Sequence, residues 1–228
     1  MKALLLFQMQ GYVRSLRVLH PLIVVLLFIA LVLLPGNDSG RIDLATGTLG
    51  DVPAMLFPIW AWVARALPDT QPDEQRALSA TAARHRLAPT AAGLLAAYLV
   101  NLGLGALALA IPLFAAVSAG VGTGAIISAL TLLLLVTAAA TLLGAYTARA
   151  IMPSPGISLL ALLSTTITAL LLSIGPLHWL SVPMAAWLRA AHDGPTALTD
   201  ATPTIALHLT LWSATLAIGH LALARRPR

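Results

Sequence analysis

Cysteine is absent from the 228-residue sequence, and charged side chains are scarce. The absence of cysteine excludes disulfides, thiolate metal sites and cysteine nucleophiles. Charged residues make up 9% of the chain, whereas soluble domains carry about 25%. Because 59% of the residues are hydrophobic, too little polar surface remains to cover a water-soluble globule. The composition therefore predicts a protein that is embedded in a lipid bilayer.

Lysine occurs once, as Lys2. A P-loop needs the pattern G-x-x-x-x-G-K-[ST], in which the lysine reaches the β- and γ-phosphates of a nucleotide. No segment of the chain has this pattern, so any ATP and Mg²⁺ must be bound by a partner. The basic residues form no patch with interleaved aromatic residues, which argues against nucleic acid as a partner. We expect no cofactor in this chain.

Long uncharged runs predict six membrane-spanning helices within residues 20–224, since a helix needs about 20 mostly apolar residues to cross the hydrocarbon core. The spans begin with residues 18–35 and 52–67, continue as two within residues 87–148 that are divided at residues 118–125, and end with residues 155–175 and 204–224. A basic tail at residues 225–228 follows. The predicted fold is an all-α, polytopic membrane protein.

The basic residues predict the orientation, because cytoplasmic loops carry an excess of Lys and Arg. Six spans place both termini on one side. If that side is the cytoplasm, only Arg41 and Arg189 of the 13 basic residues lie outside. Five of the 8 acids also lie outside: Asp38, Asp43, Asp51, Asp193 and Asp200. We expect a protein of the cytoplasmic (inner) membrane with both termini in the cytoplasm.

Residues 1–19 predict an amphipathic helix that lies along the inner leaflet. Apolar side chains recur at spacings of three and four residues: Leu5, Met9, Tyr12, Leu16 and Leu19. Another face carries Gln10, Arg14 and Arg17. The alternative is a simple extension of the first span into water.

A charged stretch at residues 69–89 predicts a cytoplasmic helix over about residues 70–86, between the second and third spans. Thr70 can cap its start, Pro72 suits the first turn, and Asp73 and Glu74 place negative charge at the positive end of the helix dipole. A connection that only turns needs about 2 to 8 residues. We therefore expect this helix to contact another molecule, the alternative being a solvated connection.

The order of these elements resembles that of the permease subunit of short ABC exporters of the second export type. The segment "DEQRALSATAARHRLAPTAAGLLAAYLVNLGLG" also resembles the pattern of that family. The resemblance implies a second permease copy or paralogue and a cytoplasmic ABC ATPase. It also implies that the cytoplasmic helix couples to the ATPase, with Arg14 and Arg17 of the elbow helix helping. The docking residues that it implies are Asp73, Glu74, Gln75, Arg76, Leu78, Arg84 and Arg86.

The interrupted segment at about residues 176–203 resembles the broken extracellular helices that this family places before its last span. Two prolines interrupt it, Pro176 and Pro183. Trp179 and Trp187 suit the depth of the membrane interface.

Few polar groups lie inside the predicted spans. Candidates for a substrate path are Asn101, Ser164, Thr165 and Thr168. The alternative for the hydroxyl groups is hydrogen bonding to carbonyls of their own helix. Glycines with neighbouring alanines predict close helix approach at Gly103, Gly105 and Gly144.

The histidines match no metal or haem pattern. His208 and His220 are twelve residues apart and point about 120° apart on a helix, so they share no face. We expect each of them to be satisfied by water or backbone. An extracellular group of His178, His192, Asp193 and Asp200 has no metal-ligand spacing, and a solvated loop is the favoured interpretation.

The predicted function is export of an amphipathic or lipid-like molecule, a drug or antibiotic among the candidates, powered by a separate ATPase. A scaffold or immunity protein without transport is the first alternative. An intramembrane enzyme is the second, and Ser173 with His208 would be its best catalytic pair. The residues do not identify the substrate, the ATPase or the symmetry of the permease pair.

Overall fold

A computed structural model describes residues 2–33, 41–70 and 87–224 of the chain, and these residues form helices and no β-strand. The eight α-helices are α1 (Lys2–Arg14), α2 (Leu19–Leu33), α3 (Ile42–Ala66), α4 (Ala88–Ser118), α5 (Thr123–Tyr146), α6 (Pro155–Ile174), α7 (Met184–His192) and α8 (Pro195–Ala224). Short 3₁₀ turns occupy Pro68–Thr70 and His178–Leu180. The all-α prediction is confirmed for this part of the chain.

Four of these helices, α4, α5, α6 and α8, are long and apolar enough to cross a membrane. Helices α1 and α2 meet the same test only together, as a pair bent by 72°. The described residues therefore contain four or five candidate spans, which indicates a multi-pass membrane protein. Six separate spans are not confirmed, since α2 has 15 residues and a crossing needs about 20.

Helix α3 lies against α4, α5 and α7 and supplies much of the core. Its buried side chains include Leu49, Leu56 and Trp60, each 0% exposed. A helix that is covered by protein does not need a uniformly apolar surface, so α3 can carry Asp43, Asp51 and Arg65 within its 25 residues. These charges explain why α3 lacks the composition of a lipid-facing span.

Two helices begin earlier than the sequence predicts. Helix α3 begins at Ile42, ten residues before the predicted start of the second span, and α8 begins at Pro195 instead of residue 204. Asp43 and Asp51 favour a loop before the second span, and Pro203 favours a loop before the last span, yet all three residues lie inside helices. Pro203 lacks the backbone N–H that would reach the Thr199 carbonyl, and the helix nevertheless continues through it.

The division between the third and fourth predicted spans is confirmed. Helix α4 ends at Ser118 and α5 begins at Thr123. Gly120 lies in the connecting turn with a φ of +81°, a conformation that glycine adopts without steric cost.

Charged side chains of the described residues gather at two opposite ends of the helix bundle. The basic end carries Arg14, Arg17, Arg65 and Arg149 together with Asp69. The acidic end carries Asp43, Asp51, Asp193 and Asp200 together with Arg41 and Arg189. The grouping agrees with the division of charges read from the sequence, and the side of the membrane that each end faces stays a prediction.

Candidate functional site at the basic end

The chain turns sharply where α3 ends, next to the predicted cytoplasmic helix. Leu67 is 1% exposed and its N–H donates to the Val63 carbonyl at 2.9 Å. Thr70 donates to the Leu67 carbonyl twice, from its N–H at 3.2 Å and from its hydroxyl at 2.8 Å. A buried leucine therefore anchors this 3₁₀ turn at Pro68–Thr70, the last described residues before position 87.

The implied ATPase-docking residues fall outside the described part of the chain, and their role stays a prediction. They are Asp73, Glu74, Gln75, Arg76, Leu78, Arg84 and Arg86. The predicted helix at residues 70–86 is described only at Thr70. The structure therefore defines the base of this segment.

Asp69, within the 3₁₀ turn, joins two distant connections. The Arg17 Nη1 of the α1–α2 connection donates to the Asp69 carbonyl at 3.2 Å. The Arg149 backbone N–H of the α5–α6 connection donates to the Asp69 Oδ1 at 3.2 Å. The base of the predicted docking segment is thus bonded to both connections.

Arg65 in the last turn of α3 adds hydrogen bonds to the start of α6. Its Nε donates to the Ser158 hydroxyl at 2.6 Å, and its Nη2 donates to the Pro155 carbonyl at 3.1 Å. Ser158 is 0% exposed and donates in turn to the Thr147 carbonyl. We name the set Arg17, Arg65, Asp69, Arg149 and Ser158 the junction. It ties the end of α3 to the start of α6 and to both connections.

Sequence reasoning did not identify the junction. Arg65 and Arg149 were counted only as cytoplasmic charges, and Asp69 only as part of a charged stretch. The bonded residues are 52 to 93 positions apart, and no local periodicity links positions so distant.

Helix α1, which the sequence predicts to be an elbow helix at the membrane surface, packs partly against the core. Tyr12 is 1% exposed, and Leu5 and Met9 are half-buried. By contrast, Leu16 and Leu19 are exposed. The predicted apolar face therefore packs against protein within α1, and its last two leucines, which follow α1, are exposed. Of the two elbow arginines, both exposed, Arg17 reaches the junction; the docking role proposed for Arg14 and Arg17 stays a prediction.

The predicted substrate-path residues do not come together. Asn101 is 0% exposed, and its Nδ2 donates at 3.0 Å to the Trp60 carbonyl and at 3.0 Å to the Thr141 hydroxyl. Its Oδ1 has no hydrogen-bond partner among the described residues. Asn101 therefore fastens α4 to α3 and α5 in the core.

The other three path candidates lie on the outer face of α6. Ser164, Thr165 and Thr168 are exposed. The Thr165 hydroxyl donates to the Ala161 carbonyl at 2.7 Å and the buried Thr166 hydroxyl to the Leu162 carbonyl at 2.7 Å. For these two threonines the structure shows the alternative interpretation, hydrogen bonding within their own helix.

The interrupted segment forms a 3₁₀ turn and α7, separated by Ser181 and two further residues. Trp187 is 0% exposed and its Nε1 donates to the Gly50 carbonyl at 3.2 Å, so it packs between α7 and α3. Its predicted depth at the membrane interface stays a prediction. Glycine at position 50 leaves room for α7 against α3. Trp179 is 62% exposed, as an interfacial side chain would be.

The histidines form no metal centre in the described residues. His192 Nε2 instead lies 2.9 Å from Asp51 Oδ1 and links α7 to α3. His208 Nε2 and His220 Nδ1 are buried atoms without a hydrogen-bond partner in this part of the chain. The sequence predicted that water or backbone groups would satisfy these histidines, and no backbone group bonds to either of these two atoms. The His220 ring packs edge-on against the Tyr146 ring, with their centroids 5.4 Å apart.

The Ser173 hydroxyl, the candidate nucleophile, donates to the Leu170 carbonyl of its own helix at 3.0 Å.

Comparisons with known proteins found no match to any family, curated protein or solved structure. The junction brings together guanidinium groups, hydroxyls and carbonyls, which suits the joining of helices.

Proposed function

We propose that the chain is the membrane-spanning permease subunit of an ATP-driven exporter. A separate cytoplasmic ATPase would bind residues 70–86, hydrolyse ATP and supply the force. The four apolar helices long enough to cross a membrane and the absence of a P-loop support this proposal. The observation that carries it is the junction, which bonds the base of the predicted docking segment to the α1–α2 and α5–α6 connections and the end of α3 to α6.

Displacement of residues 70–86 would reach the bundle through Asp69. Arg17 would pass it to the α1–α2 connection and Arg149 to the α5–α6 connection. Arg65 ties the end of α3 to α6. Hydrogen bonds of this kind contribute about 0.5–1.5 kcal/mol each. A few of them hold a conformation and can still exchange partners when an ATPase changes shape.

The proposed substrate path lies between this chain and a second copy or paralogue. Asn101 is enclosed within the core, whereas Ser164 and Thr168 are open on the outer face of α6 beside the exposed apolar side chains of Leu160 and Leu171. A surface that mixes apolar groups with a few hydroxyls suits an amphipathic or lipid-like substrate, such as a drug or antibiotic. In this proposal the basic end faces the cytoplasm across the inner membrane.

The test of this proposal is loss of ATPase binding after charge removal from the docking segment. Asp73, Glu74 and Arg76 are replaced together by alanine in the tagged chain, which is purified from its native membrane. We expect at least a tenfold loss of copurified P-loop ATPase with normal membrane insertion, because charged contacts set orientation and association.

The matched control is the triple alanine variant of Arg189, Asp193 and Asp200, which removes the same charges from exposed positions at the acidic end. It should retain the ATPase. Equal retention of the ATPase by both variants would refute the docking assignment. Absence of any ATPase would favour the scaffold alternative, and turnover by the purified chain without ATP would favour an enzyme.

A further inference from the structure

A cavity of about 190 Å³ lies at the basic end, in the corner between α1, α2 and α3. Its walls come from both sides of the α1–α2 bend and from the last turns of α3. The lining residues are Tyr12, Arg17, His20, Pro21, Trp62, Val63 and Ala66. They include two basic side chains and no acid.

The bend at this corner brings Arg17 to the cavity. Leu16 has a φ of +57°, which residues other than glycine rarely adopt, and the helix axes differ by 72° across it. Arg17 donates from one nitrogen to the neutral Asp69 carbonyl. A guanidinium has five N–H donors, so others stay available, and no carboxylate of the described residues forms a salt bridge with Arg17.

Tyr12 adds a hydroxyl group to the lining of the cavity. Its side chain is 1% exposed, so the ring is fixed by packing. A phenol hydroxyl can donate one hydrogen bond. An acceptor group of a ligand in the cavity would accept it.

The remaining walls are apolar or aromatic. The His20 ring is tilted by 50° against the Trp62 ring, with their centroids 6.5 Å apart. Leu16 and Leu19 expose 62% and 42% of their surface nearby in sequence. Tryptophan beside exposed leucines is typical of the membrane–water interface. The surroundings therefore favour an anion that is attached to an apolar body over a freely dissolved one.

We propose that this cavity binds the phosphate headgroup of an anionic lipid from the leaflet at the basic end. Arg17 supplies positive charge, and Tyr12 supplies a hydrogen bond. Pockets for whole drug-sized ligands run from about 300 to 1,000 Å³, so this smaller cavity suits a headgroup whose acyl chains stay in the bilayer. The proposal does not depend on the ATPase and goes beyond the proposed transport function.

The test measures binding of short-chain dioctanoyl phosphatidylglycerol to the purified full-length chain in a neutral detergent, with no ATPase present. Arg17→Ala should weaken binding about tenfold, because charge-assisted hydrogen bonds are the stronger class. Tyr12→Phe should weaken it about threefold through loss of one neutral hydrogen bond. Arg14→Ala is the matched control, since Arg14 is exposed three residues away and does not line the cavity; it should change binding less than about twofold.

Three outcomes would overturn the proposal. Equal losses in Arg14→Ala and Arg17→Ala would show diffuse attraction to surface charge. Equal affinity for dioctanoyl phosphatidylcholine would show that the site does not distinguish an anionic lipid from a zwitterionic one. Competition by inorganic phosphate at the same concentration as the lipid would show a site for a free anion. If Arg17→Ala does not fold, Tyr12→Phe decides alone, and unchanged binding by that variant would refute the site.

Discussion

The glycine at position 144 lets α5 lie directly on α3. A Cβ added to Gly144 would overlap the backbone carbonyl of Ala61. Ala61 is 0% exposed in the core, and a helix backbone cannot move aside as the end of a flexible side chain can. Close approach of this kind extends the dispersion contact between two helices, which drives helix association where the surrounding lipid is as apolar as the interface.

Replacing Gly144 by alanine should destabilise the protein by about 3 kcal/mol or more, at or above the upper end for overpacking. Gly103→Ala is the matched control, because nothing lies within 4 Å of a Cβ added there. It should be neutral or stabilising by up to about 1 kcal/mol, since alanine favours helix. Thermal unfolding in detergent, followed by circular dichroism, measures both. Similar unfolding midpoints for the two variants would contradict the α3–α5 contact.

At single positions the sequence predicts packing unevenly. It marked Gly105 and Gly144 as sites of close approach, and both meet side chains or backbone of α3. The same prediction for Gly103 is wrong, because nothing lies within 4 Å of a Cβ added there, and the sequence gives no sign that Trp187 is buried against protein. The cause is physical: lipid-facing and core-facing surfaces are both apolar here, so no amphipathic stripe identifies the buried face of a helix.

Among the helices, α7 shows how an interrupted segment is held. Its Trp187 is buried and bonds the Gly50 carbonyl, and Ala191 packs against the space that a side chain on Gly50 would fill. His192 lies over Gly47 and reaches Asp51. This contact between His192 and Asp51 is half exposed, and even charged pairs at such exposure contribute only about 0–1 kcal/mol. Burial of Trp187 therefore anchors α7 more than this contact does.

A disulfide between positions 47 and 192 tests the contact between α7 and α3. A Cβ added at Gly47 would lie 3.4 Å from His192 Cγ, the atom that a cysteine sulfur would replace. Because the chain has no cysteine, the variant Gly47→Cys with His192→Cys can form one link only. We expect a mild oxidant to cross-link most molecules, as a mass shift of the linked peptides would show.

The control pair is Gly103→Cys with His192→Cys. Position 103 has no neighbouring atom within 4 Å, so this pair should stay reduced. Equal cross-linking in the two pairs would mean that α7 samples many positions, and the docked arrangement would be wrong.

The order of helices was largely predictable, and their starts were not. The break at residues 118–125 follows from glycines within an uncharged run, and the structure has it. The starts of α3 and α8 were missed, because Asp43, Asp51 and Pro203 lie inside helices. Tertiary contacts stabilise those turns: α7 covers the start of α3, and Gly124 faces Thr199 at the start of α8. No pattern of single residues reports such contacts.

For the whole molecule, the separation of charge between two ends connects fold to function. The junction, the cavity lined by Arg17 and the base of the predicted docking segment all lie at the basic end. Transfer of one arginine to the centre of a bilayer costs about 2.5–3.5 kcal/mol on insertion scales. The basic end is therefore not expected to cross the bilayer after insertion, and the proposed docking of an ATPase depends on its facing the cytoplasm.

Cysteine labelling of intact cells tests this orientation. We choose Ser79→Cys in the docking segment and Asp200→Cys at the acidic end, each in the naturally cysteine-free chain. A membrane-impermeant maleimide should label the position 200 variant in intact cells and the position 79 variant only after the membrane is opened. The excess of arginine at the basic end is the reason, since positively charged loops stay inside. Labelling of position 79 in intact cells would show that the molecule has the opposite orientation. A cytoplasmic ATPase could then not reach the predicted docking segment.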